Sequence, residues 1–120
     1  MLEQLVDCPH REQALYLADS DLQAETLGYY SESRDILSNM LSDFRDAQLE
    51  DDTFPFVYPS NFNHADFYIM IPEWDLHFCT LMWKIYYIFD DKPVLENNYA
   101  AACRMINHYL NSIDEGAGLV

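Results

Sequence analysis

The sequence predicts a mainly α fold: a compact, single-domain bundle of four to five helices over residues 1–120, with a small β element allowed near residues 54–71. Three observations lead to this prediction. Apolar residues recur at helical spacing in several stretches, half of the residues are hydrophobic, and the chain has only 3 glycines. So few glycines disfavour all-β folds with many tight turns. A chain of 120 residues also fits one domain.

The first helix is predicted to begin near Asp7–Pro9, because proline is favoured in the first turn of a helix. The segment "SDLQ" at residues 20–23 has the spacing of a capping box. We therefore expect a break there and a second short helix, which would end at Gly28.

The next helix lies within residues 31–52. Its apolar face is formed by Ile36, Leu37, Met40, Leu41, Phe44 and Ala47. At about 100° per residue, five carboxylates fall within an arc of roughly 80° on another face, and we call them the acidic stripe: Glu32, Asp35, Asp43, Asp46 and Glu50. The stripe should be about 27 Å long. Because Arg34 and Arg45 project to its side, we expect nothing within the helix to neutralise it.

Residues 53–72 form an aromatic connector, in which Pro55 and Pro59 favour extended or turn structure. Its segment "DFYIMI" can be a strand or a short helix. A strong helix follows from Pro72 to about Phe89. Its few polar positions form a narrow strip, interpreted as solvated: Glu73, His77, Thr80 and Lys84. A helix otherwise so apolar is the centre of a bundle or is covered by a partner.

The last helix follows "DDKP" and is predicted to end at Gly116. Its core-facing residues are predicted from steps of four and three along the chain: Leu95, Tyr99, Ala102, Ile106, Leu110 and Ile113.

Motifs for enzymatic chemistry are missing from the sequence. The local metal-ligand pairs are His64 with Asp66, Glu73 with His77, and Cys8 with His10, and none extends into HExxH or CxxC. There is no G-x-S-x-G elbow and no phosphate-binding glycine loop. The sequence therefore predicts no enzyme, no metal site and no cofactor.

Cysteine usage and the N-terminus bear on the compartment. Three widely spaced cysteines suit a reducing environment better than a disulfide framework. The first residues, "MLEQLVDCPH", lack the basic and apolar regions of a signal peptide. The longest apolar run, "FCTLMWKIYYIF", is too short to span a bilayer. We expect a cytoplasmic protein without a membrane association.

The charge balance suggests the kind of partner. The chain has 21 acidic and 6 basic residues, for a formal net charge of −15, which repels nucleic acid and attracts basic proteins. The sequence predicts a small acidic inhibitor of the phage or mobile-element anti-defence type (anti-restriction or anti-CRISPR). It would occupy the nucleic-acid-binding surface of a basic protein as a nucleic-acid mimic, without binding nucleic acid itself.

Several alternatives stay open from the sequence. An immunity protein or antitoxin would bind a basic nuclease toxin by the same electrostatics, and an acidic structural or ligand-binding module would have no inhibitory role. The acidity can also reflect a halophilic host, and a homodimer is allowed. The predicted contact residues are the acidic stripe with Asp51 and Asp52. Three tyrosines are predicted as exposed anchors of the same contact: Tyr29, Tyr30 and Tyr58. The alternative for these tyrosines is that they fill the core.

Overall fold

A computed structural model of the chain describes residues 5–8, 10–11, 13–30, 32–59 and 71–113. These residues form four helices: α1 (Leu17–Tyr30), α2 (Arg34–Asp46), α3 (Pro72–Phe89) and α4 (Lys92–Ser112). The mainly α bundle predicted from the sequence is confirmed. Most of the segment predicted as a β element, and the predicted helix end at Gly116, lie outside the described residues. In the described part of the connector, Val57 forms an isolated antiparallel bridge with Tyr16.

The start of α1 differs from the prediction. No helix begins near Asp7; the described residues before Leu17 form turns and extended backbone. The Asp7 carboxylate accepts a hydrogen bond from the Ala14 N–H at 3.2 Å, so a local side-chain bond competes with a helix there. The predicted break at residues 20–23 is also wrong. The Ser20 hydroxyl donates to the Tyr16 carbonyl at 2.7 Å instead of capping a new helix.

Gly28 lies inside α1 and does not end it. A Cβ atom at this position would lie only 2.8 Å from Cγ2 of Ile88 on α3. The missing side chain therefore lets α1 and α3 approach closely, which is a role in packing and not in helix termination.

Helix α2 has the predicted apolar face, with Leu37, Met40, Leu41 and Phe44 buried. It is shorter than expected, because the chain leaves the helix at Ala47 and turns back on itself. The Leu49 N–H donates to the Thr53 carbonyl at 2.9 Å. Asp52 takes a left-handed conformation with φ of 70°.

Helix α3 is the central element of the bundle, as its composition predicts. It packs most extensively against α1 and also contacts α4 and α2. Phe78 on its buried face stacks on Phe54 of the connector, with ring centroids 4.3 Å apart. The opposite side of α3 leaves Trp83 and Tyr87 exposed.

Helix α4 faces the core with a set of residues that only partly matches the predicted one: Ala102 is buried, and Leu95 and Ile106 are partly buried against the core. The buried residues are Val94, Asn98, Ala101, Ala102, Met105 and Tyr109, whereas Tyr99 and Leu110 are exposed. The two sets are offset by about one residue, or about 100° around the helix. The polar Asn98 interrupts the apolar pattern of the buried face. Its Nδ2 donates to the Val94 carbonyl at 2.8 Å, and its buried Oδ1 has no hydrogen-bond partner among the described residues.

Candidate functional site

A closed loop before α1 fixes the position of Asp7. The Asp7 N–H donates to the Ala14 carbonyl at 3.0 Å, and the Gln13 N–H donates to the Cys8 carbonyl at 3.1 Å. The Ala14 N–H also donates to Asp7 Oδ1, so the two ends of the loop, Asp7 and Ala14, are hydrogen-bonded to each other. The loop holds the Asp7 carboxylate against the backbone of Ala14, three residues before the start of α1.

Asp19 lies in that first turn. Partial burial raises the pKa of Asp19 above its ordinary value, and the negative charge of Asp7 raises it further. A hydrogen bond with its own backbone and the nearby His77 act in the opposite direction but do not cancel the rise. We call these two carboxyl groups the Asp7–Asp19 pair. A nearby like charge favours the protonated form of Asp19.

Asp21, one half-turn further along α1, is buried beneath the polar strip of α3. Its Oδ2 lies 2.7 Å from Nδ1 of His77 and accepts a hydrogen bond from the Thr80 hydroxyl at 2.8 Å. Its Oδ1 lies 3.1 Å from Nζ of Lys84. The Asp21 side chain is only 3% exposed. Such a buried carboxylate needs polar partners: His77 and Thr80 form hydrogen bonds with Oδ2, and Lys84 forms an ion pair with Oδ1.

This arrangement corrects the interpretation of the α3 strip as solvated. His77, Thr80 and Lys84 point at α1, where their polar atoms meet Asp21. Because a carboxylate only accepts, Nδ1 of His77 carries the proton in this contact, and Nε2 is the ring nitrogen that faces away from it. The indole ring of Trp74 lies beside His77, with centroids 6.4 Å apart.

A second buried carboxyl group, Asp75, lies on another side of α3. Its Oδ2 accepts hydrogen bonds from the Phe54 N–H at 3.0 Å and from the Tyr109 hydroxyl at 2.8 Å. Burial raises the pKa of Asp75 to about 6, although these two hydrogen bonds act to lower it. Asp75 therefore ties the connector to α3 and α4 and has a structural position.

An open groove runs along the outer side of α1 and α3. Its volume is about 830 Å³. Gly28 and Ile88 line it where the two helices approach, and three aromatic and two charged residues complete it: Tyr29, Trp83, Tyr87, Glu25 and Lys84. The predicted contact residue Tyr29 is 86% exposed at this groove.

The acidic stripe does not follow one helix face. All five members are exposed, but Glu32 precedes α2 and Glu50 follows it. The expectation that nothing within the helix neutralises the stripe is wrong. Arg34 lies 2.8 Å from Asp35, and Arg45 lies 2.8 Å from Asp46. The hydrogen bond from Arg45 lowers the pKa of Asp46.

The other predicted contact residues are scattered. Asp52 forms an ion pair with Arg104 of α4 at 3.2 Å. Asp51 accepts hydrogen bonds from the Thr53 N–H and hydroxyl. Burial acts to raise the pKa of Asp51, but these hydrogen bonds and the charge of His108 outweigh burial, so the pKa of Asp51 is lowered. Tyr58 packs against the core, which fits the alternative of core filling. The side chain of Tyr30, the last residue of α1, lies outside the described part.

Metal-ligating residues do not gather in the described ranges: no group of three or more His, Cys, Asp or Glu side chains is placed there to hold an ion. Cys79 and Cys103 are free thiols. None of the described helices is long and apolar enough to cross a membrane.

Sequence reasoning missed Asp7, Asp19 and Asp21 as members of a site. The signal for Asp21 was the polar strip of α3, because polar residues at one helical spacing on an apolar helix need a polar partner. Nothing in the sequence pattern identified that partner, since Asp21 and Lys84 are 63 residues apart.

Comparison with known proteins gives one family. Residues 1–119 match the family model described as the bacterial alpha-L-rhamnosidase 6 hairpin glycosidase domain. No curated protein and no solved structure matches the chain. The prediction that the chain is not an enzyme stays a prediction, and the name of the family weighs against it. By its match over nearly the whole sequence, the chain belongs to the bacterial alpha-L-rhamnosidase 6 hairpin glycosidase domain family.

Proposed function

We propose that the chain supplies an acid-bearing part of the active site of a glycoside hydrolase that acts on α-L-rhamnosides. The observation that carries this proposal is the match of residues 1–119 to a glycosidase domain family; the raised pKa of Asp19, with the charge of Asp7 contributing to it, supports the proposal. Most glycoside hydrolases use two carboxyl groups. One donates a proton to the leaving-group oxygen, and the other acts as a base or a nucleophile.

The environments of the two carboxyl groups give them different roles. The raised pKa of Asp19 keeps its proton available at higher pH than usual, which suits a general acid. Asp7 accepts a backbone N–H bond on Oδ1, which stabilises its negative charge. Asp19 is therefore assigned as the proton donor, and Asp7 as the charged carboxylate that acts with it.

Neighbouring side chains suit a sugar ligand. His77 is oriented by Asp21 and leaves Nε2 for a hydroxyl group. The indole Nε1 of Trp74 is buried without a hydrogen-bond partner among the described residues. Sites for small polar ligands combine an aromatic wall with a few converging polar groups, and Trp74 with His77 has this composition.

The test is hydrolysis of para-nitrophenyl α-L-rhamnoside by the wild-type chain and two variants. We expect Asp19→Asn and Asp7→Asn each to lower kcat by about 10²- to 10⁴-fold, because each removes one half of the acid–base pair. Asp43→Asn, an exposed carboxylate on α2, is the matched control and should keep the wild-type rate. A wild-type chain that neither hydrolyses this substrate nor binds L-rhamnose would overturn the proposal.

The acidic inhibitor remains a second proposal. It is supported by the net charge of −15 and by three exposed carboxylates, Glu32, Asp43 and Glu50, which form no ion pair with other described residues. Such groups can attract the lysines and arginines of a nucleic-acid-binding protein. An immunity protein would use the same contacts.

Competition binding separates this second proposal from the first. If it holds, the chain should displace an oligonucleotide from a basic nucleic-acid-binding protein at low salt, and high salt should abolish the effect. Neutralising Glu32, Asp43 and Glu50 to Gln or Asn should weaken displacement, whereas Asp19→Asn should leave it unchanged. Tight binding of the chain to the free oligonucleotide would rule the inhibitor out.

A further inference from the structure

The groove between α1 and α3 combines aromatic rings with fixed charges. Tyr29 is 86%, Tyr87 78% and Trp83 57% exposed, which is unusual for three large aromatic residues beside one groove. Isolated exposed hydrophobic residues need no explanation, but a contiguous group indicates a binding surface. The volume of about 830 Å³ falls in the range of roughly 300–1,000 Å³ for small-molecule clefts.

The charged residues of the groove are held in place. Lys84 Nζ lies 3.1 Å from Asp21 Oδ1 and donates to the Asp21 carbonyl at 3.0 Å. Glu25 Oε1 lies 3.7 Å from the same ammonium group. An apolar helix lying in this groove would remove water from both charges, which is unfavourable. A ligand with an apolar face and a polar rim would meet both kinds of group.

Asp21 connects a residue of the groove to His77. Asp21 contacts His77, whose charge acts to lower the pKa of Asp19, and Lys84, which lines the groove. His77 and Lys84 are seven residues apart on α3, which corresponds to about 10 Å along the helix. A saccharide bound beside His77 that extends along α3 toward Lys84 would therefore enter the groove.

We infer that the groove formed by Glu25, Tyr29, Trp83, Lys84 and Tyr87 is a subsite for further sugar units of a saccharide substrate. The aromatic rings contact the C–H faces of the sugars, and the Lys84 and Glu25 side chains bind their hydroxyl groups. This inference rests on the proposed glycoside hydrolase function, since it names where the rest of the same substrate binds.

The two tryptophans of the chain report on the two places separately. Trp74 lies beside His77 and Trp83 lies at the groove. Fluorotryptophan-labelled protein would give two fluorine NMR signals, assigned with the variant Trp83→Phe, in which an exposed residue is replaced. We expect an α-linked rhamnose trisaccharide to shift both signals and L-rhamnose alone to shift only that of Trp74.

Variants of exposed tyrosines complete the test. Tyr87→Ala should weaken trisaccharide binding by about 5- to 10-fold and leave L-rhamnose binding unchanged, because it removes one stacking surface of the groove. Tyr99→Ala, which replaces an exposed tyrosine of α4, is the matched control and should have no effect.

Three results would overturn the inference. A trisaccharide that shifts only Trp74 would remove the groove subsite and leave the proposed function standing. If neither sugar shifts either signal, the proposed function and the subsite both fall. A Trp83 signal that moves with protein concentration in the absence of sugar, with a doubled mass in light scattering, would make the groove an interface between copies of the chain.

Discussion

The carboxylates of α2 and the two buried carboxylates, Asp21 and Asp75, show opposite uses of negative charge. On α2 the acidic groups are exposed, and two of the three, Asp35 and Asp46, meet arginines adjacent in sequence. Asp21 and Asp75 are buried, at 2% and 1% exposure, and their partners come from distant parts of the chain. The comparison teaches that the density of acidic residues along a sequence does not locate the carboxylates on which the fold depends.

The reason is solvation. An exposed carboxylate keeps most of its water, so an ion pair with a flexible arginine contributes little to stability. A buried carboxylate loses that water and needs specific donors in its place. Removing its charge or one of its donors therefore has a large effect, and three experiments test this difference between the two regions.

The largest expected effect is that of Asp21→Asn. It should lower the free energy of unfolding by about 3 kcal/mol, because it leaves Lys84 and His77 without their buried anion. Urea unfolding followed by circular dichroism measures this change. Asp43→Asn on α2 is the matched control, and we expect it to leave the unfolding midpoint unchanged. Equal unfolding midpoints for the two variants would show that the buried Asp21 contributes no more to stability than the exposed Asp43.

The next effect is a pH dependence of the free energy of unfolding, caused by Asp75. Its folded-state pKa of about 6 lies above that of an unfolded aspartate, near 3.9. The protonated form is therefore favoured by folding, and its contribution is fully present below about pH 4 and is lost as the pH rises through about 6. The contribution amounts to about 2–3 kcal/mol.

Comparison with Asp75→Asn isolates this contribution from the other titrating groups. Unfolding free energies measured from pH 4 to 7 should fall in the wild type relative to the variant. Tyr109→Phe gives a second test. It removes a hydrogen bond that lowers the pKa of Asp75, so the loss of stability with rising pH should occur at higher pH in this variant. Parallel pH profiles for the wild type and Asp75→Asn would show that Asp75 does not titrate in this window.

The smallest effect is expected for the acidic stripe. Replacing its five carboxylates with Gln or Asn should leave the unfolding midpoint unchanged or raise it slightly, because the replacements relieve like-charge repulsion and remove nothing from the core. The same urea measurement applies. A clear loss of stability would mean that exposed carboxylates of α2 contribute as the buried ones do, which contradicts the comparison.

Much of the fold could be predicted from the sequence. The apolar spacing of Leu37, Met40, Leu41 and Phe44 indicates both the helix and its buried face. Pro72 marks the first residue of α3. These features are local, since they depend on backbone geometry and on side chains within a few turns.

The core-facing side of α4 and the start of α1 could not be predicted in this way. On α4, apolar residues cover a wide arc, and contacts with the other helices select Met105 and Tyr109 over Leu110. Before α1, the bond between the Ala14 N–H and the Asp7 carboxylate competes with helical backbone bonds. Both outcomes depend on energies that a hydrophobic pattern does not contain.

The sequence by itself determined the helical class, the central place of α3 and the strongly negative charge, because spacing, composition and residue counts carry these properties directly. Only the tertiary structure decided which carboxylates matter to the candidate site. It buried Asp21 under His77 and Lys84, and it partly buried Asp19, which raises the pKa of that group, with the charge of Asp7 raising it further. The physical reason is that desolvation and charge interactions depend on distance in space, whereas the sequence gives only distance along the chain.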